Sequence, residues 1–261
     1  MPFHRLFIRK IDKKATSLQK FFNIMIAVAL FMLFFLYSVK RLGMEFDFSF
    51  LWSFRYRLAE GFANTVALSL ASLVVSLLLG FLSAVANNSR ILAVSYFSKV
   101  YVQFFRGTPL IMQVYLFFYI VGTAWGVDNR FLAGVLILSI FEGAYISEII
   151  RGGIDSIEQT QLEAAKAVGL ESRQTMRLIV LPQIIKRTLP SLAGQFASII
   201  KDSSLLSLIS VIELTQTIRE ISASNFAIFE SYIFLGLLYL ALTFPISMYT
   251  RRLESRFSYE N

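Results

Sequence analysis

Three charged side chains lie within or beside apolar stretches of this sequence. Glu142 falls in the middle of the apolar run 131–150, and Lys201 and Asp202 follow the run 178–200. Charges at bilayer depth are costly and commonly mark a transport path. Lys201 and Asp202 offer a cation and an anion, which suits a zwitterionic substrate, but a mutual ion pair or an interface anchor would also explain them. Glu142 could hold a substrate cation, stay protonated or pair with Lys201.

A polar stripe precedes this pair of charges. Ser191, Gln195, Ser198 and Asp202 are spaced i, i+4, i+7 and i+11, which places them on one face of a helix. Such a stripe should line a cavity or a polar interface, and Leu189-Pro190 is expected to break the helix and free backbone groups for binding. The candidate substrate-binding residues are therefore Lys201, Asp202, Gln195, Ser198, Ser203 and Glu142.

The composition indicates a membrane protein and excludes several chemistries. Hydrophobic residues make up 56% of the 261 residues, charged residues only 16%, and the mean hydropathy is +0.63; soluble domains carry about 25% charged residues. With no cysteine and one histidine, His4, thiolate metal sites and histidine catalysis are not expected. No phosphate-binding G-x-x-x-x-G-K-[ST] motif occurs. The net charge of +8 is concentrated at the ends of apolar segments, as topology signals are, which argues against nucleic-acid binding.

Six apolar stretches are long enough to cross a bilayer core of roughly 30 Å. They are 21–39, 62–86, 108–122, 131–150, 178–200 and 229–249. With the N-terminus inside, 18 of the 25 Lys and Arg residues face the cytoplasm, so both termini are predicted there. The first stretch lacks a signal-peptide cleavage site and is predicted to be a retained helix. Segment 44–60 is expected to lie at the outer interface, and 203–212 to be part of a broken or interfacial segment.

The largest predicted cytoplasmic loop, 151–182, contains a helical pattern. Its apolar positions share one face, and Gly169 stands where a helix end favours glycine. Those apolar positions are Ile154, Ile157, Leu162, Ala165 and Val168. From these residues alone, the helix could pack on its own bundle or dock on a partner.

Further patterns have ordinary structural explanations. Thr65, Ser69, Ser72, Ser76, Gly80 and Ser83 form a small-residue stripe typical of close helix packing. Glu148 and Arg151, three residues apart, should pair, either near an inner gate or as a plain ion pair. Arg106 precedes Thr108-Pro109, and a proline near a helix start is common.

Together these motifs resemble ABC importer permeases of the polar amino-acid uptake branch. The similarity rests on Glu163-Ala164-Ala165 with Gly169 and Ile179-Val180-Leu181-Pro182, on Arg106-Gly107-Thr108-Pro109-Leu110, on Gly143-Ala144-Tyr145 with Glu148 and Arg151-Gly152-Gly153, and on Lys201-Asp202-Ser203-Ser204-Leu205. The resemblance covers about 58–256. It implies an all-α, integral membrane fold: a five-helix core, preceded here by one extra N-terminal transmembrane helix. Glu142 departs from the small or amide residue expected in that family.

The resemblance also implies roles and partners. Residues 1–57 would form the basic tail, first transmembrane helix and interfacial segment; 58–256 the permease domain, with 151–182 as its coupling loop; and 257–261 a cytoplasmic tail. Glu163, Ala164, Ala165 and Gly169 would dock on an ATPase, and Arg106, Thr108, Pro109, Glu148 and Arg151 would be gate or structural residues.

The expected function is transport without catalysis by this chain. In a bacterial inner membrane, it would move a polar L-amino acid, such as glutamine, glutamate or a basic amino acid, by alternating access. The chain would carry no cofactor, since ATP and Mg would bind a partner ATP-binding subunit dimer. A second permease copy or sister permease, an extracytoplasmic substrate-binding protein and membrane lipid complete the expected partners. The alternatives are a carrier or channel that needs no ATPase, or a membrane scaffold, which the polar stripe disfavours.

Overall fold

The computed structural model describes residues 16–43 and 45–258, and this part of the chain contains helices and no strand. It forms two compact units, one ending at Asp47 and one beginning at Phe48. The predicted basic tail, including His4, and the last three residues lie outside the described residues. The α-helices are α1 (Ser17–Leu42), α2 (Phe50–Ser53), α3 (Arg55–Asn87), α4 (Leu92–Gly107), α5 (Leu110–Leu116), α6 (Arg130–Asp155), α7 (Gln159–Ala167), α8 (Ser172–Thr175), α9 (Leu181–Asp202), α10 (Leu214–Asn225) and α11 (Ile228–Ser258).

The first unit is the extra N-terminal helix predicted from sequence. Thr16 caps its start, its side chain accepting a hydrogen bond from the Gln19 N–H at 3.3 Å, and Gly43 ends it in the left-handed conformation with φ +63°. Its 26 residues correspond to about 39 Å, enough to cross a bilayer. Large apolar side chains such as Phe31 and Phe34 are exposed around it, as lipid contact requires.

The second unit is built on close packing of α3 against α6. Ser69, Ser72 and Ser76 of α3 are fully buried, and the Ser139 hydroxyl of α6 donates to the Ser72 carbonyl at 3.2 Å. Gly80 lies so close to Ile146 that a Cβ there would come within 2.5 Å of the isoleucine side chain. These contacts support the packing interpretation of the small-residue stripe.

Two apolar clusters hold the remaining helices to this pair. One joins α3, α5, α6, α9 and a 3₁₀ helix, Ser203–Ile209, with Leu68, Leu138, Ile199 and Leu206 fully buried. The other joins α3, α10 and α11 around Ile218. The 3₁₀ helix follows α9 directly, so 203–212 continues the bundle as a short, buried segment.

The third span differs from its predicted form. The expected loop 87–107 contains the 16-residue helix α4, and the span itself consists of α5 and a π-helical continuation, Phe117–Gly122. Helix α4 and the segment formed by α5 and its π-helical continuation meet at 110°, with Pro109 as the N-cap of α5. Thr108 and Pro109 lack helical geometry, since both have ψ near 140–150°, and proline disfavours the α conformation in the residue before it.

The fifth span is continuous, and the expected break at Leu189-Pro190 was wrong. Helix α9 runs through Pro190, which is buried, and packs against α6 and α11. Proline removes one backbone hydrogen bond, a loss that tertiary packing outweighs here. By length and apolar composition, four described helices, or five if the bent α4–α5 pair counts as one span, could cross a membrane. Helix α9 is less apolar than these helices, although its 22 residues span about 33 Å.

Segment 44–60 is only partly as expected. Phe50, Leu51 and Phe54 pack onto the α10–α11 cluster, while Trp52 stays 75% exposed. The Arg55 guanidinium lies 4.7 Å from the centre of the Trp52 ring, an arrangement suited to a membrane interface.

Candidate docking and transport sites

The docking candidates lie on α7, a nine-residue helix between α6 and α8. Glu163 and Ala164 are exposed on its surface. The helix ends at Gly169, whose φ is +81°. The Gly169 N–H donates to the Lys166 carbonyl at 3.1 Å and the Leu170 N–H to the Ala165 carbonyl at 3.0 Å, which is a Schellman ending. The predicted helix and its glycine ending are both present.

The face of this helix differs from the sequence pattern at three positions. Ala165 is 2% exposed and packs inside the chain, so it cannot contact a partner as expected, whereas Val168 is 75% exposed. Ile154 belongs to α6 and not to α7. The predicted apolar face was wrong there because the chain turns at 156–158 and the periodicity restarts. The surface open to a partner contains Glu163, Ala164 and Val168.

Two side chains connect α7 and the end of α6 to the start of α9. The Gln183 amide of α9 donates to the Gln161 side-chain oxygen of α7 at 2.7 Å. The Arg187 guanidinium donates to the backbone carbonyl of Ser156, at the end of α6. The start of α9 is thus hydrogen-bonded both to the end of α6, at Ser156, and to α7, at Gln161.

The polar stripe of α9 meets Glu142. The Gln195 amide donates to Glu142 Oε2, and Glu142 is fully buried. The carboxyl group of Asp202 lies close enough to that of Glu142 for the two to interact. Glu142 is fully buried and Asp202 half-buried, and two adjacent carboxyl groups in such surroundings need a shared proton or a cation. Of the roles left open for Glu142, this arrangement favours a proton or a cation from elsewhere over pairing with Lys201.

The other substrate candidates have different surroundings. Lys201 is exposed, and among residues 16–43 and 45–258 it forms no ion pair within 4 Å, with Asp202 or any other carboxylate. Ser198 is half-buried on the α9 surface. Ser203 is fully buried at the start of the 3₁₀ helix, and its hydroxyl donates to the Ile200 carbonyl at 2.8 Å. The structure therefore brings together Glu142, Gln195 and Asp202, but not Lys201.

The gate candidates form a larger charge cluster than predicted. Arg151 donates to Glu148 through Nε and Nη2, at 2.7 and 3.0 Å, confirming the expected pair. Arg106 joins from α4, with its Nη1 2.9 Å from Glu148 Oε2. Asp155 binds Arg151 at 2.6 Å. The sequence did not indicate that Arg106 belongs to this cluster, because 42 positions separate it from Glu148.

A buried glutamine, missed in the sequence, holds the bend beside this cluster. The Gln113 amide donates to the Thr108 hydroxyl at 2.7 Å and to the carbonyls of Phe105 and Thr108 at 3.0 and 3.2 Å. It thereby supplies donors to backbone groups that the α4–α5 bend leaves without helical partners. Thr108 and Pro109 are accordingly structural residues of the bend.

Glu213, at the opposite end of the bundle from α7, is a second residue that the sequence analysis missed. It is fully buried and caps α10, accepting hydrogen bonds from the Thr215 and Gln216 N–H groups at 2.8 and 2.7 Å and from the Tyr239 hydroxyl at 2.9 Å. Burial raises the pKa of Glu213 to about 7, although the hydrogen bonds it accepts act in the opposite direction. A single charged residue among the aliphatic and serine residues of 203–214 was the available signal.

These features define a class of protein: a helical membrane subunit with an exposed surface helix connected to a span, α9, whose polar stripe meets a buried carboxyl group. The family described as "Binding-protein-dependent transport system inner membrane component" matches residues 76–259. The chain belongs to this family. It is a multi-pass transport subunit of the inner membrane and not an enzyme, as the sequence predicted. Membership argues against an ATPase-independent carrier or channel.

Individual relatives agree with this assignment. The chain is 36% identical over 216 residues to the glutamine transport system permease protein GlnP of Escherichia coli (strain K12), covering 82% of this chain and 98% of that protein. It is 35% identical over 197 residues to the probable glutamine ABC transporter permease protein GlnM of Bacillus subtilis (strain 168), covering 76% and 91%. The structure of "an amino acid ABC transporter with histidines" matches with a TM-score of 0.76 and 31% identity, covering 82% of this chain and 100% of that one.

Proposed function

We propose that this chain is the permease subunit of an ATP-driven importer for a polar L-amino acid. The single observation that carries the proposal is the exposed α7 surface, because a helix outside the spans that presents Glu163 and Ala164 is suited to docking on a partner. ATP and Mg would bind a dimer of partner ATPase subunits. The membrane part would consist of two copies of this chain, or of this chain with a sister permease.

The proposed mechanism is alternating access. Closure of the ATPase subunits on ATP would displace α7, and the hydrogen bonds from Gln183 and Arg187 would transmit that displacement to the base of α9. Movement of α9 would then open the polar stripe to one side of the membrane or the other. An extracytoplasmic binding protein would deliver the substrate, and both termini would be cytoplasmic.

Glutamine is the first substrate to test, because GlnP and GlnM carry that substrate in their names. A basic amino acid is the second, and a specific contact favours it: Glu142 and Asp202 are adjacent carboxyl groups without a cationic side chain bound to them among the described residues. A substrate cation would neutralise this pair.

The test is ATP hydrolysis by the complete transporter in proteoliposomes, with its binding protein and each of the twenty amino acids in turn. Stimulation by glutamine, or by lysine or arginine, supports the respective substrate. Stimulation by none, in an intact complex, would overturn the amino-acid assignment.

A docking variant tests the other half of the proposal. Glu163→Lys should abolish co-purification of the ATPase, whereas Glu254→Lys, the same charge change at an exposed position near the end of α11, should not. If the ATPase is retained by Glu163→Lys, α7 is not the docking helix.

A further inference from the structure

A polar groove lies where α4 crosses the end of α6 that leads to α7. Its volume is about 420 Å³. Its polar lining comes from the ends of α3, α4 and α6: Asn87, Lys99, Gln103, Arg106, Glu148 and Arg151. The transport mechanism proposed above uses neither this groove nor Lys99.

The groove carries excess positive charge. Lys99 is exposed and has no carboxylate within 4 Å in the described part of the chain. The Arg106 side chain is 40% exposed; its Nη1 contacts Glu148, and its guanidinium lies 5.4 Å from the centre of the Tyr145 ring. Even when Glu148 and Asp155 are counted against Lys99, Arg106 and Arg151, one positive charge remains. Arg106 and Lys99 therefore have N–H donors available for an anion.

The groove also contains an acceptor without a donor. Asn87 Oδ1 is buried and has no hydrogen-bond partner. A buried acceptor left unpaired is unfavourable. If the Asn87 side chain turns toward the groove, a ligand with hydroxyl groups beside a negative charge would satisfy this oxygen and the basic side chains together.

The adjacent face of α4 is apolar. Phe97 is 77% exposed, Val100 65% and Phe104 42%, one helical turn apart on the same side. Lys99, Gln103 and Arg106 follow a neighbouring stripe, so α4 presents an apolar face beside a basic one. This is the pattern of a helix lying in the membrane interface, with its apolar face toward acyl chains.

We propose that this groove binds the phosphoglycerol headgroup of an anionic phospholipid. Lys99 and Arg106 donate to the phosphate, a headgroup hydroxyl donates to Asn87 Oδ1, and the acyl chains lie along Phe97, Val100 and Phe104. Basic pockets between membrane helices bind anionic headgroups in this way. The bound lipid would hold α4 against the cluster of Arg106, Glu148 and Arg151. This role goes beyond the transport function proposed above and does not depend on the transported substrate.

The test is a thermal-stability titration of the purified, detergent-solubilised transporter complex. The probes are dihexanoyl phosphatidylglycerol, dihexanoyl phosphatidylcholine and soluble glycerol 3-phosphate. Phosphatidylglycerol should raise the melting temperature in a saturable manner. Lys99→Gln should weaken its apparent affinity about fivefold, the effect of one basic residue near an anionic headgroup. Arg252→Gln, which removes an exposed charge on α11, should leave the affinity unchanged.

Each other outcome would overturn the proposal. An equal effect of phosphatidylcholine would show that the groove does not select the anionic headgroup. An equal effect of glycerol 3-phosphate would identify a free phosphate site instead. Unchanged affinity in both Lys99→Gln and Asn87→Asp, the latter placing a negative charge at the acceptor, would place the lipid elsewhere.

Discussion

The hydrogen bond between Gln161 and Gln183 predicts a specific loss of coupling. The two side chains are half-buried, and the Gln183 amide lies 2.7 Å from Gln161 Oε1. A neutral hydrogen bond of this kind contributes about 0.5–1.5 kcal/mol net. If α7 moves α9 through this contact, removing it should reduce the coupled population about two- to tenfold.

The perturbation is Gln183→Ala, and the measured quantity is substrate transported per ATP hydrolysed in proteoliposomes. The ratio should fall about two- to tenfold, while co-purification of the ATPase is unchanged because neither glutamine lies on the exposed Glu163–Ala164 surface. Loss of transport should be incomplete, since Arg187 still binds the Ser156 carbonyl. Gln159→Ala, an exposed position on the first turn of α7, is the matched control and should behave as the wild type.

A double-mutant cycle decides whether the contact itself is responsible. Gln161→Ala combined with Gln183→Ala should lower the ratio no further than either single change, because both remove the same bond. Additive losses would refute transmission through this pair. Equal losses of ATP hydrolysis and transport, with a constant ratio, would show that the bond only stabilises the fold.

Three further predictions concern other sites. Asp202→Asn should impair uptake while leaving assembly intact, and normal uptake by this variant would remove Asp202 from the substrate site. Gly169→Ala should destabilise the end of α7 by about 1–2 kcal/mol because its φ of +81° is unfavourable for a residue with a Cβ; steric contact does not contribute, since no atom lies within 4 Å of the added Cβ. Limited proteolysis of the loop should therefore accelerate. Gly152→Ala, which is equally open but lies within α6, should have no such effect. Burial raises the Glu213 pKa from 4.5 to about 7, so the folded state binds the proton more tightly than the unfolded chain, and the contribution of this residue to stability should decline as pH rises from about 4.5 to about 7. Glu213→Gln should make the melting temperature less dependent on pH in that interval. A variant with the same pH profile as the wild type would contradict the assignment.

Much of the candidate site could be predicted because its signals are local. The ending of α7 at Gly169 follows from the need for a left-handed residue, and the Glu148–Arg151 pair from neighbouring positions on one helix. The polar spacing of Gln195 and Asp202 likewise placed them on one face of α9, where both meet Glu142. Apolar length and composition also established the membrane class.

Other features depend on contacts between distant segments. Arg106 joins Glu148 only because α4 folds back at a 110° bend, and the Gln113 side chain that holds this bend has no local signature. Pro190 favours a break by its own chemistry, yet packing of α9 against α6 and α11 keeps the helix continuous.

The sequence by itself thus determined the membrane class, the family resemblance and the presence of the surface helix α7, because these arise from composition and from spacing along one helix. Only the tertiary structure decided that Ala165 faces inward, that Glu142 meets Asp202 and not Lys201, and that Gln183 connects α7 to α9. Which side chains meet across helices depends on the bends and rotations of whole elements, and the periodicity of a single segment does not encode them.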